Sequence, residues 1–304
     1  YAPLIISLAK TREPLYMVNR PGNAPSHLNC AQWLDKTLDF VSGSFEKVFI
    51  RGDTDFSLTG NFDKWDNRCT FLFGMDARQN LVKRAGQIPE SEWQQFEKRF
   101  RKIKTRSRKR PENVKAQMVK KRKFKSLQTE CEHVAEFDYQ PGKCEKSYRM
   151  IVLRKTIKVV KGECRLFDDV RYFFYITNDR HKSVKELVEF YRNRADHEND
   201  IEQMKNGISA LNNPSDSLVS NWAYMVIASL AWDLKAWYGL MLPYRVLGNR
   251  ILRMEFKRFI HNFIRIPCLI IKSGRKIRYR FIGYNDQLKH IFKLFCRMKH
   301  FAFP

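Results

Sequence analysis

Four residues in the second half of the chain have the types and spacing for phosphate chemistry. Tyr191, Arg194, Glu198 and Lys205 stand at offsets of 0, 3, 7 and 14. On a helix, at about 100° per residue, they fall within an arc of roughly 60°. One stripe then presents a phenol, a guanidinium, a carboxylate and an ammonium. The carboxylate can hold a divalent cation, and the three donors can hold phosphates around it. The same stripe also describes an ordinary solvated helix face with i,i+4 ion pairs, and spacing alone does not lift the first description above the second.

The elements that must position these residues follow from local pattern. Ser183-Val184-Lys185-Glu186 is a capping box that starts a helix, predicted to run unbroken until near Gly207 and to stop before Pro214. Upstream, 3–9 and 14–19 read as a hairpin, 29–40 as a helix and 48–50 as a strand. That strand runs straight into Arg51-Gly52-Asp53-Thr54-Asp55-Phe56. A short helix at 61–65 and a strand at 70–73 come next. Residues 83–127 read as helical and increasingly basic, interrupted by Pro111. Strands return within 134–160 and at 171–177.

This order gives an α/β core interrupted by a basic α+β insertion. The expected boundaries are 1–82 for the first part of the core, 83–165 for the insertion, 166–250 for the second part and 251–304 for a basic C-terminal region. In that last region Ser273 to Arg280 reads as a hairpin with its bases on one side. Trp222, Trp232 and Trp237 read as core packing within an apolar helix, with Trp65 and Trp93 freer.

Composition narrows the function classes. The 304 residues are 43% hydrophobic, which excludes global disorder. Lys and Arg number 57 against 32 Asp and Glu, a net charge of +25. Residues 98–125 hold 15 bases and one acid, and residues 251–304 hold 13 bases and two acids. These two segments contain the whole excess, and the rest of the chain is neutral. Such concentration favours contact with a polyanion, with affinity that falls steeply as salt rises. The seven cysteines form no Cys-x-x-Cys pair, so a disulfide framework is not expected and the compartment reads as reducing. The sequence offers no signal peptide and no run of 18 apolar residues, so no membrane role is expected.

The spacing Tyr-x2-Arg-x3-Glu-x6-Lys, on Tyr191, Arg194, Glu198 and Lys205, resembles the signature of bacterial insertion-sequence transposases of the DDE type, which have an RNase H-like core. The segment from Phe49 to Phe56 is similar to their second catalytic block, a strand end followed by Asp. The resemblance implies an RNase H-like mixed sheet with flanking helices, and DNA cleavage and strand transfer with Mg²⁺ or Mn²⁺. It implies that Asp53 and Glu198 are catalytic and ligate metal, while Tyr191, Arg194 and Lys205 grip DNA phosphates. Asp55 would be an alternative ligand, or a support behind the ligands, if the strand continued and put it on the face of Asp53. The implied partners are double-stranded DNA, as transposon ends and target, and a second copy of the chain in a homodimer. The implied location is the bacterial cytoplasm, at the nucleoid. The family's first catalytic Asp belongs on an opening strand and has no counterpart here. The chain is therefore expected to be N-terminally truncated and inactive as given. The alternative is a non-catalytic DNA-binding remnant of a transposase.

Overall fold

A computed structural model describes residues 2–96, 117–118, 121–122, 125–161, 164–282 and 288–298. Much of the basic stretch 98–125 lies outside the described residues, as does most of its expected helix. The chain divides into two compact units, residues 38–194 and residues 1–37 with 195–304.

The 38–194 unit is built on one six-stranded sheet. Its strands are β3 (Phe49–Gly52), β4 (Thr70–Met75), β5 (Gln94–Gln95), β6 (Lys125–Tyr139), β7 (Tyr148–Lys161) and β8 (Cys164–Thr177). Their order is β3-β4-β8-β7-β6-β5. β3 and β4 are parallel, and every other pairing is antiparallel. β4 joins the two regimes, parallel to β3 with Ile50 opposite Phe71 on one side and antiparallel to β8 with Phe73 opposite Ile176 on the other. The expected mixed sheet with flanking helices, of RNase H-like type, is present.

Strand alternation fills both faces of this sheet. On β4, Leu72 points one way and joins Val134, Ile151, Leu153 and Tyr175. Helix α4 (Val184–Arg192) covers that face with Val184, Leu187 and Val188, an i, i+3, i+4 stripe. Each such side chain contributes roughly 1.5–3 kcal/mol by burial. Phe71 and Phe73 point the other way, onto Phe62 and Trp65 of helix α2 (Phe62–Asp66) and onto Tyr148. Trp65 is therefore fully buried, and Trp93 is buried beneath the Arg154 guanidinium, 4.2 Å from its ring. Neither is the free aromatic expected from sequence. Helix α3 (Gln79–Gly86) follows β4.

The other unit holds the hairpin β1 (Leu4–Ser7) and β2 (Pro14–Val18), which pair antiparallel as expected. Helix α1 (Cys30–Ser42) carries the chain from this unit into the sheet unit. Beyond Arg194 come α5 (Ala195–Glu202), a π-helical turn at Gln203–Gly207, α6 (Leu218–Met241), α7 (Arg245–Leu252) and α8 (Phe256–Phe259), then a second π turn at Ile260–Ile264. The tryptophans of α6 clamp the hairpin. Trp222 and Trp232 donate to the carbonyls of Met17 and Arg12, and Trp237 donates to the Glu13 carboxylate. Trp232 is buried with Met17, Met204, Met225 and Phe256, whereas Trp237 is half exposed. The C-terminal region contains β9 (Cys268–Ser273), β10 (Lys276–Phe281) and α9 (Leu288–Met298).

The single helix expected from Ser183 to Lys205 is in fact three pieces. The capping box starts α4 as predicted, with Ser183 and Glu186 bonding each other's backbone N–H groups. Helix α4 then ends at Arg192, and Asn193 and Arg194 form a turn. The Arg51 guanidinium explains the stop, because it donates to the carbonyls of Phe190 and Asn193 and so replaces the bonds of a further turn. The π turn at Gln203–Gly207 adds a second change of helical phase. The 60° arc therefore does not carry over from an ideal helix.

Candidate active site

The site in the sheet unit begins at the C-terminal end of β3. Each residue of Arg51-Gly52-Asp53 has its own physical task. Arg51 caps α4 and lies over the Phe190 ring, 4.9 Å from its centre. Gly52 leaves room for Phe73, since a Cβ there would stand 2.8 Å from the Phe73 ring. Asp53 ends the strand and caps a 3-10 turn at Thr54–Phe56, its Oδ1 accepting from the Thr54 N–H at 2.9 Å. That turn places Asp55 out in solvent. The alternation that would align Asp55 with Asp53 does not apply, because the strand stops at Gly52.

Two of the four signature residues meet Asp53. The Tyr191 hydroxyl donates to Asp53 Oδ1 at 3.3 Å, and Arg194 donates to Oδ2 at 3.0 Å. The Tyr191 ring packs on Tyr175, with centroids 4.4 Å apart. Its hydroxyl reaches Asp53 over Gly74 of β4, where a Cβ would come within 2.5 Å of the phenol oxygen and 2.9 Å of Thr54 Cγ2. Burial pushes the Tyr191 phenol up to about 12, with the Asp53 charge adding to it. Tyr191 therefore stays a neutral donor at ordinary pH. The Asp53 side chain is 42% exposed and that of Arg194 is 29% exposed, so the ion pair lies at the surface.

Glu198 and Lys205 belong to the other unit, on α5 and in the π turn at Gln203–Gly207. Both are exposed. Beside Glu198, His197 Nδ1 lies 3.2 Å from the Ser7 hydroxyl, a hydrogen bond between α5 and the hairpin. Arg12 pairs with the buried Asp200 at 3.2 Å. These bonds fasten α5 to its own unit.

The model of the transposase DDE domain, group 1, matches residues 1–300. The chain belongs to this family. It is thus a DDE-domain transposase chain. No curated protein matches the chain. Among the described residues of this DDE chain, no three His, Cys, Asp or Glu side chains converge as a metal-binding group. Asp53 does fit a hard cation chemically, because it offers carboxylate oxygens at an open strand end. Sequence reasoning missed Arg51, Gly74 and Tyr175, which position Asp53 and Tyr191. Gly74 had a signal in principle, as a glycine within a strand of otherwise larger, mostly apolar residues.

Proposed function

We propose that the chain binds transposon-end DNA for metal-dependent phosphodiester cleavage and strand transfer. Asp53 and Glu198 would hold Mg²⁺ or Mn²⁺, which supplies activation of the attacking oxygen and stabilisation of the leaving oxygen. Tyr191, Arg194 and Lys205 would hold phosphates. The observation that carries this reading is the meeting of Asp53 with Tyr191 and Arg194 at the end of β3 in a family of DDE transposases.

The exposed Asp53–Arg194 pair supports a simple exchange. Such a pair is worth about 0–1 kcal/mol. Arg194 can therefore leave Asp53 for a phosphate when the carboxylate takes up a cation. Tyr191, still protonated, would turn its one O–H from Asp53 to a phosphate oxygen. Strand cleavage needs a third carboxylate beyond Asp53 and Glu198, since two hold a metal pair poorly. The sequence boundaries at 82, 165 and 250 are kept as the proposed division into core, insertion, core and basic C-terminal region. A homodimer on duplex DNA, in a bacterial cytoplasm, completes the reading. No helix among the described residues is long and apolar enough to cross a membrane.

The test is duplex binding by the 304-residue chain, followed by fluorescence anisotropy at rising salt. Tight binding with a steep inverse salt dependence is expected. No binding at low salt contradicts the reading. The remnant alternative separates from it at Glu198→Gln: loss of divalent-cation uptake supports the catalytic reading, and unchanged uptake supports the remnant.

A further inference from the structure

The basic C-terminal region carries two strands that belong to no larger sheet among the described residues. β9 and β10 pair antiparallel from Lys276–Ser273 to Phe281–Cys268 without a shift. Gly274 and Arg275 connect them, both with positive φ, 56° and 59°. This is the geometry of a type I′ turn, whose twist matches that of the strands. Every residue of both strands is exposed. A hairpin bare on both faces is marginal alone. Among the described residues, its base is closed by Ile282 N–H to the Pro267 carbonyl at 2.9 Å, and Phe281 lies against the Phe292 ring of α9.

Its charge is one-signed. Residues 268–281 contain five Lys and Arg and no acid. Opposed residues share a face, so Lys276, Arg278 and Arg280 line one side, next to Ser273, Ile271 and Leu269. Ile270, Ile277 and Tyr279 project from the other side, with Lys272.

We propose that this ribbon is an arm that lies along a phosphate ridge of duplex DNA through Lys276, Arg278 and Arg280. The proposal rests on the DNA reading above and names a surface for it. Alternate strand residues stand about 6.8 Å apart, so the three cations span roughly 14 Å. One DNA strand presents about four phosphates over that axial length. A row of three cations on a ribbon that itself carries no acid suits that charge. The contact would be to the backbone and therefore indifferent to sequence. A DNA-bound arm also explains how a bare hairpin is stabilised when it is in use.

The test compares salt slopes of duplex binding for the full chain. The variant Lys276→Gln, Arg278→Gln, Arg280→Gln should lower the slope of log K against log salt by about 2.7, since each phosphate contact contributes about 0.9. A control with equal charge removed from exposed lysines elsewhere, Lys47→Gln, Lys83→Gln, Lys185→Gln, should leave the slope unchanged. Arg278→Lys, Arg280→Lys should keep the wild-type slope even if the glutamine variant folds poorly. Equal losses in ribbon and control variants would overturn the proposal, as would an unchanged ribbon slope. Wild-type binding to anionic vesicles in preference to duplex would also overturn it. Absence of any duplex binding by the wild type would instead sink the broader DNA reading.

Discussion

Asp53 pairs with Arg194 at 3.0 Å across 141 positions of sequence. The pair joins the end of a sheet strand to the turn after α4, and both partners remain partly in solvent. Arg194→Ala should therefore cost less than about 1 kcal/mol of folding stability. Urea denaturation at neutral pH measures it. A loss several times larger would mean that Arg194 is structural first and cannot move to a phosphate.

Gly74 is the contact that lets Tyr191 reach the strand end. A Cβ there would meet the Tyr191 hydroxyl and Thr54, including the Thr54 backbone nitrogen at 3.1 Å. Backbone cannot yield as a flexible side chain can. Gly74→Ala should destabilise by roughly 1–3 kcal/mol through overpacking and weaken DNA binding as well. Gly60→Ala is the comparison, because its nearest neighbour is Lys143 Cδ at 3.7 Å. Equal melting temperatures for the two variants would remove Gly74 from the site.

Arg51 holds the C-terminal end of α4 by two carbonyls. The planar fork of its guanidinium suits two acceptors at once, which an ammonium on a flexible stem does not. Arg51→Ala should cost about 1.5–3 kcal/mol, and Arg51→Lys should recover only part of it. Hydrogen exchange in 189–194 should rise in both. Full rescue by lysine would show that charge alone, without the fork, ends the helix.

Asp233 on α6 gives a pH signature. Burial, with repulsion from Glu13, raises its carboxyl from the ordinary 3.8 to about 7. Its buried Oδ1 has no hydrogen-bond partner among the described residues. A raised acid favours folding fully below pH 3.8, and that contribution is lost as pH rises through 7. Asp233→Asn should therefore raise the melting temperature at pH 8 and leave it unchanged near pH 3.5. A rise of the same size at both values would trace the effect to packing and not to charge.

Much of the fold could be read from local pattern. The β1–β2 hairpin, α1, β3, α2 and β4 all appear where alternation, helical periodicity and turn residues place them. The capping box at Ser183 names the start of α4 to the residue. The end of α4 was not legible, because it depends on Arg51, 139 positions from Phe190. The same holds for Trp93, whose cover is Arg154 on β7. In the candidate site, Asp53, Tyr191 and Arg194 were named from a motif and are found in contact. The glycine that lets the phenol approach is invisible to spacing, because its reason lies on a neighbouring strand.

The central claim is that one divalent cation is shared by Asp53 and Glu198. Crystals of the chain soaked in Mn²⁺, with anomalous scattering recorded for manganese, test it most directly. The account predicts a peak within about 2.0–2.4 Å of oxygens from both side chains, lost in Asp53→Asn and in Glu198→Gln. A peak on one carboxylate alone, or two carboxylates too far apart to reach a common ion, would contradict it.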